Sequence, residues 1–172
     1  MTPLLVAAML CQAPAHAEVI DRVMAVVEDQ LILESDVRIE AMLATLDPEP
    51  SPLWTRQPDP VERVLEAAMF RALAGDVSLY QPTEEAVADR IQRMRDAAGS
   101  SQRWREFLED LTLDVPGLMI VVRRRMVAEA YAARTVQVDQ AEVQAWQAAC
   151  DVLIEQVRTR LRIRVIPVQS AP

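Results

Sequence analysis

Apolar residues follow two rhythms along this chain, a short-period one at its ends and a helical one between them. Near the start, residues 19–27 and 31–33 are runs rich in Val, Ile and Leu on either side of the polar trio Glu28, Asp29 and Gln30, a β-hairpin pattern. Glu34-Ser35-Asp36 follows, and Ser35 or Asp36 is placed to accept the first free N–H groups of a helix predicted to reach about Leu46. An isolated two-stranded hairpin is marginal in water, so this one needs an apolar partner or a further strand. The only other strand signal is at residues 162–168, where Ile163, Val165 and Pro167 alternate with Arg162, Arg164 and Ile166. The reading is therefore a mostly α chain whose N-terminal hairpin is joined by a C-terminal strand in one small sheet.

The helical rhythm occupies the middle. Residues 47–60 carry prolines at 48, 50, 52, 58 and 60, which argue against a helix and for an extended link. Trp54 in this link reads either as an aromatic that touches another chain or, more simply, as an anchor pinning the link to the body. Asp59, Pro60 and Glu62 start a helix whose apolar face, from Val61 to Leu73, is predicted to extend through Leu79 and end at Gln81-Pro82. Thr83 then opens a charged helix, residues 84–98, with a narrow stripe of Val87, Ile91 and Met94; Gly99 stops it. Ser100 and Ser101 begin a short helix with Trp104, Phe107, Leu108 and Leu111 along one side. Asp114 and Pro116 open another, striped by Leu118, Met119, Val122, Met126 and Ala130. Within it, Arg123-Arg124-Arg125 reads as a solvated face paired with acidic neighbours, because adjacent helical positions fan around the axis. After an extended link at 135–138, Asp139 and Glu142 form a capping pattern. The helix that follows carries a seam of Val143, Trp146, Cys150, Leu153 and Val157 and runs into the last strand, so residues 140–168 form a helix-strand unit.

Composition narrows the chemistry. Residues 3–10 are apolar, and Ala15-His16-Ala17 supplies the small residues of a signal-peptidase site, so residues 1–17 read as a cleaved export signal even though no basic residue precedes the apolar run. Eight or so apolar residues fall far short of the roughly 20 needed to span a bilayer, so no stable membrane insertion is expected. The formal charge is −8 and lies wholly after Ala17, which disfavours nucleic acid as a partner. All 18 basic residues are arginine. His16 and Cys11 leave with the signal, so the mature chain has neither His nor Lys and only Cys150, which sits in the apolar seam as a small hydrophobe. General acid–base, nucleophilic and metal chemistry are thereby poorly served, and neither enzyme activity nor a cofactor is expected. Paired acids such as Glu109 with Asp110 or Asp47 with Glu49 read as solvated charges.

Residues 23–27, a turn at Glu28–Gln30 and residues 31–37 together resemble the opening of SurA-type periplasmic chaperones, although Glu28, Asp29 and Gln30 replace the Asn and Gly usual in that turn. The order of the later elements is also similar to that family's N-terminal part, and the stretch RRRMVAEAYAARTVQVDQAEVQAW at 123–146 resembles its arginine-rich helix, link and helix start. Residues 151–168 look like the segment that returns to the N-terminal body in longer members, joined on directly without the parvulin-type isomerase domain. A parvulin domain needs on the order of a hundred residues of its own, which the remaining length does not supply. The resemblance implies one domain over 18–172 and a periplasmic location. It also implies ATP-independent binding of unfolded or extended polypeptides, outer-membrane proteins among them, without prolyl isomerase activity. The alternative is an adaptor for one dedicated exported partner. Candidate residues for apolar contact with a client are Trp54, Met69, Phe70, Met94, Trp104 and Phe107.

Overall fold

The computed structural model describes residues 21–48 and 51–167; the expected export signal, the first two residues of the predicted first strand, Glu49, Pro50 and Val168 lie outside them. The two ends of the described chain meet. Strands β1 (Val23–Val27), β2 (Gln30–Leu33) and β3 (Ile163–Val165) form one antiparallel sheet in the order β2-β1-β3. Gln30 belongs to β2, which leaves a two-residue turn of Glu28 and Asp29. Glu28 there adopts φ 54°, a conformation that favours glycine. Its carboxylate compensates by accepting from the backbone N–H of Arg162 at 2.8 Å and from that residue's guanidinium at 2.8 and 3.0 Å. The side chain that replaces the usual turn residue thus ties β3 to the turn.

Seven helices follow β2 among the described residues: α1 (Glu34–Leu46), α2 (Pro52–Arg56), α3 (Pro60–Ala74), α4 (Glu84–Ala97), α5 (Ser101–Leu111), α6 (Val115–Thr135) and α7 (Val143–Arg158). The longest, α6, serves two apolar cores. Its first half packs Leu118 and Val122 with Ile39 and Leu43 of α1, the Val87, Ile91 and Met94 stripe of α4, and Trp104 and Leu111 of α5. Its second half packs Ala128 and Ala132 with the inner face of the sheet (Ala25, Val27, Ile32), with α3, and with Trp146, Cys150, Ile154 and Val157 of α7. Burial also pushes the Cys150 thiol up to about 12, so it is an unreactive core group.

Four local expectations are corrected. The proline-rich link is not wholly extended: Ser51 caps the short helix α2, its hydroxyl accepting from Leu53 N–H at 3.3 Å, and Pro52 occupies the first turn, where a missing N–H costs nothing. Helix α3 ends at Gly75, with φ 51°, rather than near Leu79, because glycine takes the left-handed conformation cheaply; a 3₁₀ turn at Ser78–Tyr80 follows. At α1 the cap is Leu33, and Asp36 reaches back from the first turn to accept the Leu33 N–H at 2.9 Å. Asp139 caps a separate turn, accepting from Ala141 N–H at 2.9 Å, so the last helix begins only at Val143.

Candidate functional site

Successive helical residues differ by about 100° around the axis, so the three adjacent arginines of α6 must serve three directions. Arg123 pairs with Glu84 of α4 and donates to the Pro82 carbonyl at 3.3 Å, in line with the expected pairing to acidic neighbours. Arg124 is exposed. Arg125 corrects the solvated reading: it is 6 % exposed, and it bonds Glu40 of α1 at 2.5 Å and Asp47, the residue that caps α1, at 3.5 Å, both buried. Its position explains this, since Arg125 lies seven residues after Leu118 and three after Val122, on the inward stripe.

A buried polar network grows from that pair. Arg63 of α3 reaches the other Glu40 oxygen at 3.2 Å and donates to the carbonyls of Gln57 and Pro58, each at 2.9 Å. Arg90 of α4 pairs with Asp47 and approaches Glu129 of α6 at 3.6 Å. The Trp54 indole N–H donates to Glu129, while the Arg125 guanidinium lies 4.3 Å from the Trp54 ring centroid. Arg56 pairs with Glu66 and Asp151, fastening α2 to α3 and α7. Trp54 is therefore an anchor for the proline-rich link, as the simpler reading expected.

Burial raises the Glu129 carboxyl above its ordinary range, outweighing the opposing influence of Arg90 and Trp54, and burial likewise raises Glu66. A carboxyl whose folded value is raised binds its proton more readily in the native state, so its contribution is present at low pH and declines as pH rises through the folded value. The Glu129→Gln variant, which mimics the protonated form, is expected to lose less stability than the wild type as pH is raised from the ordinary carboxyl value of 4.5. Thermal melts across that range check this, and parallel pH profiles for the two proteins would contradict it.

Beside this network opens a cleft of about 450 Å³ between β2, α1, α3 and α6. Leu31, Ile32, Ile39, Val64, Val121 and Val127 supply apolar wall, with Trp54, Glu40 and Arg125 deeper in the lining. Arg71 of α3 and Arg124 of α6 also line it, and neither has an ion-pair partner among the described residues. Arg71 is half-buried and donates only to the Gln30 side chain, at 3.4 Å. Burial, reinforced by the neighbouring charge of Arg124 and partly offset by Asp36, pushes the Arg71 guanidinium down to about 10. Arg71 sits four residues after Ala67 and seven after Val64, so a charge on the buried stripe of α3 was the signal in the sequence for this site.

Of the six residues expected to touch a client, Trp54, Met69, Phe70, Met94 and Trp104 are buried in the two cores, and Phe107 is half-buried against Trp104 with ring centroids 5.8 Å apart. Only Trp54 lines the cleft. Met69, Phe70, Met94 and Trp104 went inward because the apolar faces of their helices are the faces the helices pack on, whereas Trp54 of the link is drawn in by α2 and its contacts with Glu129 and Arg125. Of the paired acids, Glu109 and Asp110 are exposed as expected, whereas Asp47 is buried in the arginine network. No group of His, Cys, Asp and Glu among the described residues is arranged to hold a metal ion, and no helix among them is long and apolar enough to cross a membrane. In comparisons with known proteins, no family model and no curated protein matches the chain.

Proposed function

We propose that the mature chain is an exported, ATP-independent chaperone-like protein that binds unfolded or extended polypeptides, outer-membrane proteins among them, without prolyl isomerase chemistry. The observation that carries this reading is a cleft bordered by an open sheet edge. β2 is an outer strand, and its residues Gln30, Leu31 and Ile32 line the cleft. An exposed edge beside an apolar-walled groove is a general means of holding extended chains, because main-chain hydrogen bonds do not depend on client sequence. The resemblance in the hairpin, the arginine-rich helix and the returning C-terminal segment supports the same reading.

The burial of five of the six apolar candidates favours keeping a second reading, an adaptor for one dedicated exported partner, since it leaves a narrow cleft rather than a broad apolar groove. Light scattering from a denatured porin-like substrate diluted into buffer separates the two. Suppression of scattering without ATP, at a few-fold excess of the mature protein, is the expected result. No effect at several-fold excess, together with recovery of one stoichiometric partner from an envelope extract, would overturn the chaperone reading in favour of the adaptor.

A further inference from the structure

The register of the sheet decides which backbone groups of β2 face outward. Glu28 N–H bonds the Arg162 carbonyl and Ile166 N–H bonds the Met24 carbonyl, each at 2.9 Å, so the even-numbered residues of β1 turn their hydrogen bonds toward β3. The odd-numbered ones, Ala25 and Val27, therefore face β2, where they oppose Ile32 and Gln30. Leu31 between them points both its N–H and its carbonyl at the open edge. Its side chain is 59 % exposed, and neither backbone group has a partner among the described residues. The next outward N–H, of Leu33, is already taken by Asp36. The edge therefore offers one residue's pair of hydrogen bonds, enough to fix the register of an added strand at Leu31.

Charge decides what such a strand would carry. Of the other ions of the cleft, Glu40 is matched by Arg63 and Arg125 and Arg123 by Glu84, while Asp36 accepts the Leu33 N–H and acts on Arg71 from beyond ion-pair distance. Among the described residues, Arg71 and Arg124 have no carboxylate within ion-pair distance, in a chain whose formal charge is −8. Arg71 also hydrogen-bonds Gln30, the residue next to Leu31 whose side chain shares the inner face with Ile32, so it stands where an added strand would direct alternate side chains.

Resting on the polypeptide-binding reading above, we propose that the cleft selects extended segments in which an internal acidic side chain is flanked by apolar residues. The segment adds to β2 at Leu31, and its carboxylate is held by Arg71 and Arg124. Apolar neighbours along the segment meet Leu31, Val64 and Val121.

Fluorescence anisotropy with a labelled octapeptide, blocked at both ends and carrying one central Glu among Val and Thr, tests this. The peptide is expected to bind about tenfold tighter than its Gln twin, as for a charge-assisted hydrogen bond, and to weaken with added salt. In the Arg124→Gln protein the preference is expected to shrink to about threefold, the share left to Arg71; Arg124 is exposed, so this variant keeps its fold. Arg71→Lys, which retains the charge, is expected to keep the preference, and so is Arg103→Gln on the exposed side of α5. Equal affinity of the wild type for both peptides, or an undiminished preference in Arg124→Gln, would overturn the assignment. So would tight binding that requires a free C-terminal carboxylate instead of the internal one. Arg124→Gln protein with a weakened peptide preference that still suppresses porin aggregation supports the cleft assignment as a selector, whereas wild-type protein that suppresses aggregation without any Glu preference removes the assignment and leaves the chaperone reading standing.

Discussion

The Arg125→Ala protein is expected to be less stable than the wild type by about 3 kcal/mol. Glu40, 5 % exposed, would keep Arg63 but lose the guanidinium that bonds its second oxygen, and Asp47 would lose one of its arginines. A buried carboxylate that loses such a partner retains the cost of desolvation without the compensating attraction. The same change removes the cation from the face of Trp54 and the aliphatic stem that fills space between α1 and α6. Replacing the pair together, Glu40→Gln with Arg125→Met, is expected to cost clearly less than Arg125→Ala alone, because no unpartnered charge remains. Urea unfolding of the single and double variants at neutral pH measures both values. A loss below about 1 kcal/mol for the single change would mean that the network is solvated and behaves like surface ion pairs.

Trp146→Ala is expected to cost about 3–5 kcal/mol, the range for emptying an aromatic site in a packed core. The side chain is fully buried, in the core that joins α7 to α2, α3 and the inner face of the sheet. Its indole N–H has no hydrogen-bond partner among the described residues, so Trp146→Phe forfeits volume but no such bond and is expected to cost less than half as much. Because α7 leads directly into β3, the alanine variant should also loosen the far edge of the sheet. Amide hydrogen exchange at Val26 and Glu28, which pair with β3, reads that loosening separately from global unfolding. Equal costs for the Ala and Phe variants would show that the indole N–H matters more than the filled volume.

Much of this architecture was legible because it is local. The hairpin, the stripes of α4 and α5, the caps at Ser100 and Asp114, and the stop at Gly99 each depend on residues within one turn of one another. Where local rules failed, two of them competed. Proline density argued for an extended link, but Pro52 at a first helical turn permits α2, and burial of Leu53 and Trp54 rewards it. Apolar spacing carried α3 past Gly75, but glycine's freedom at positive φ ended it there.

Sequence pattern determined the class of fold and the meeting of the two ends, because alternation over a few residues specifies a strand and a lone hairpin needs a further surface. It also shows that the residues from Glu18 onward hold no His or Lys and a single Cys. The candidate site was decided by tertiary structure. Arg71, Arg124 and Leu31 lie on three different elements, and Arg123, Arg124 and Arg125 read alike in sequence although they are paired, open and buried. What separates them is whether an opposite charge from another element reaches each guanidinium, and only the packing of α1, α3 and α4 around α6 fixes that.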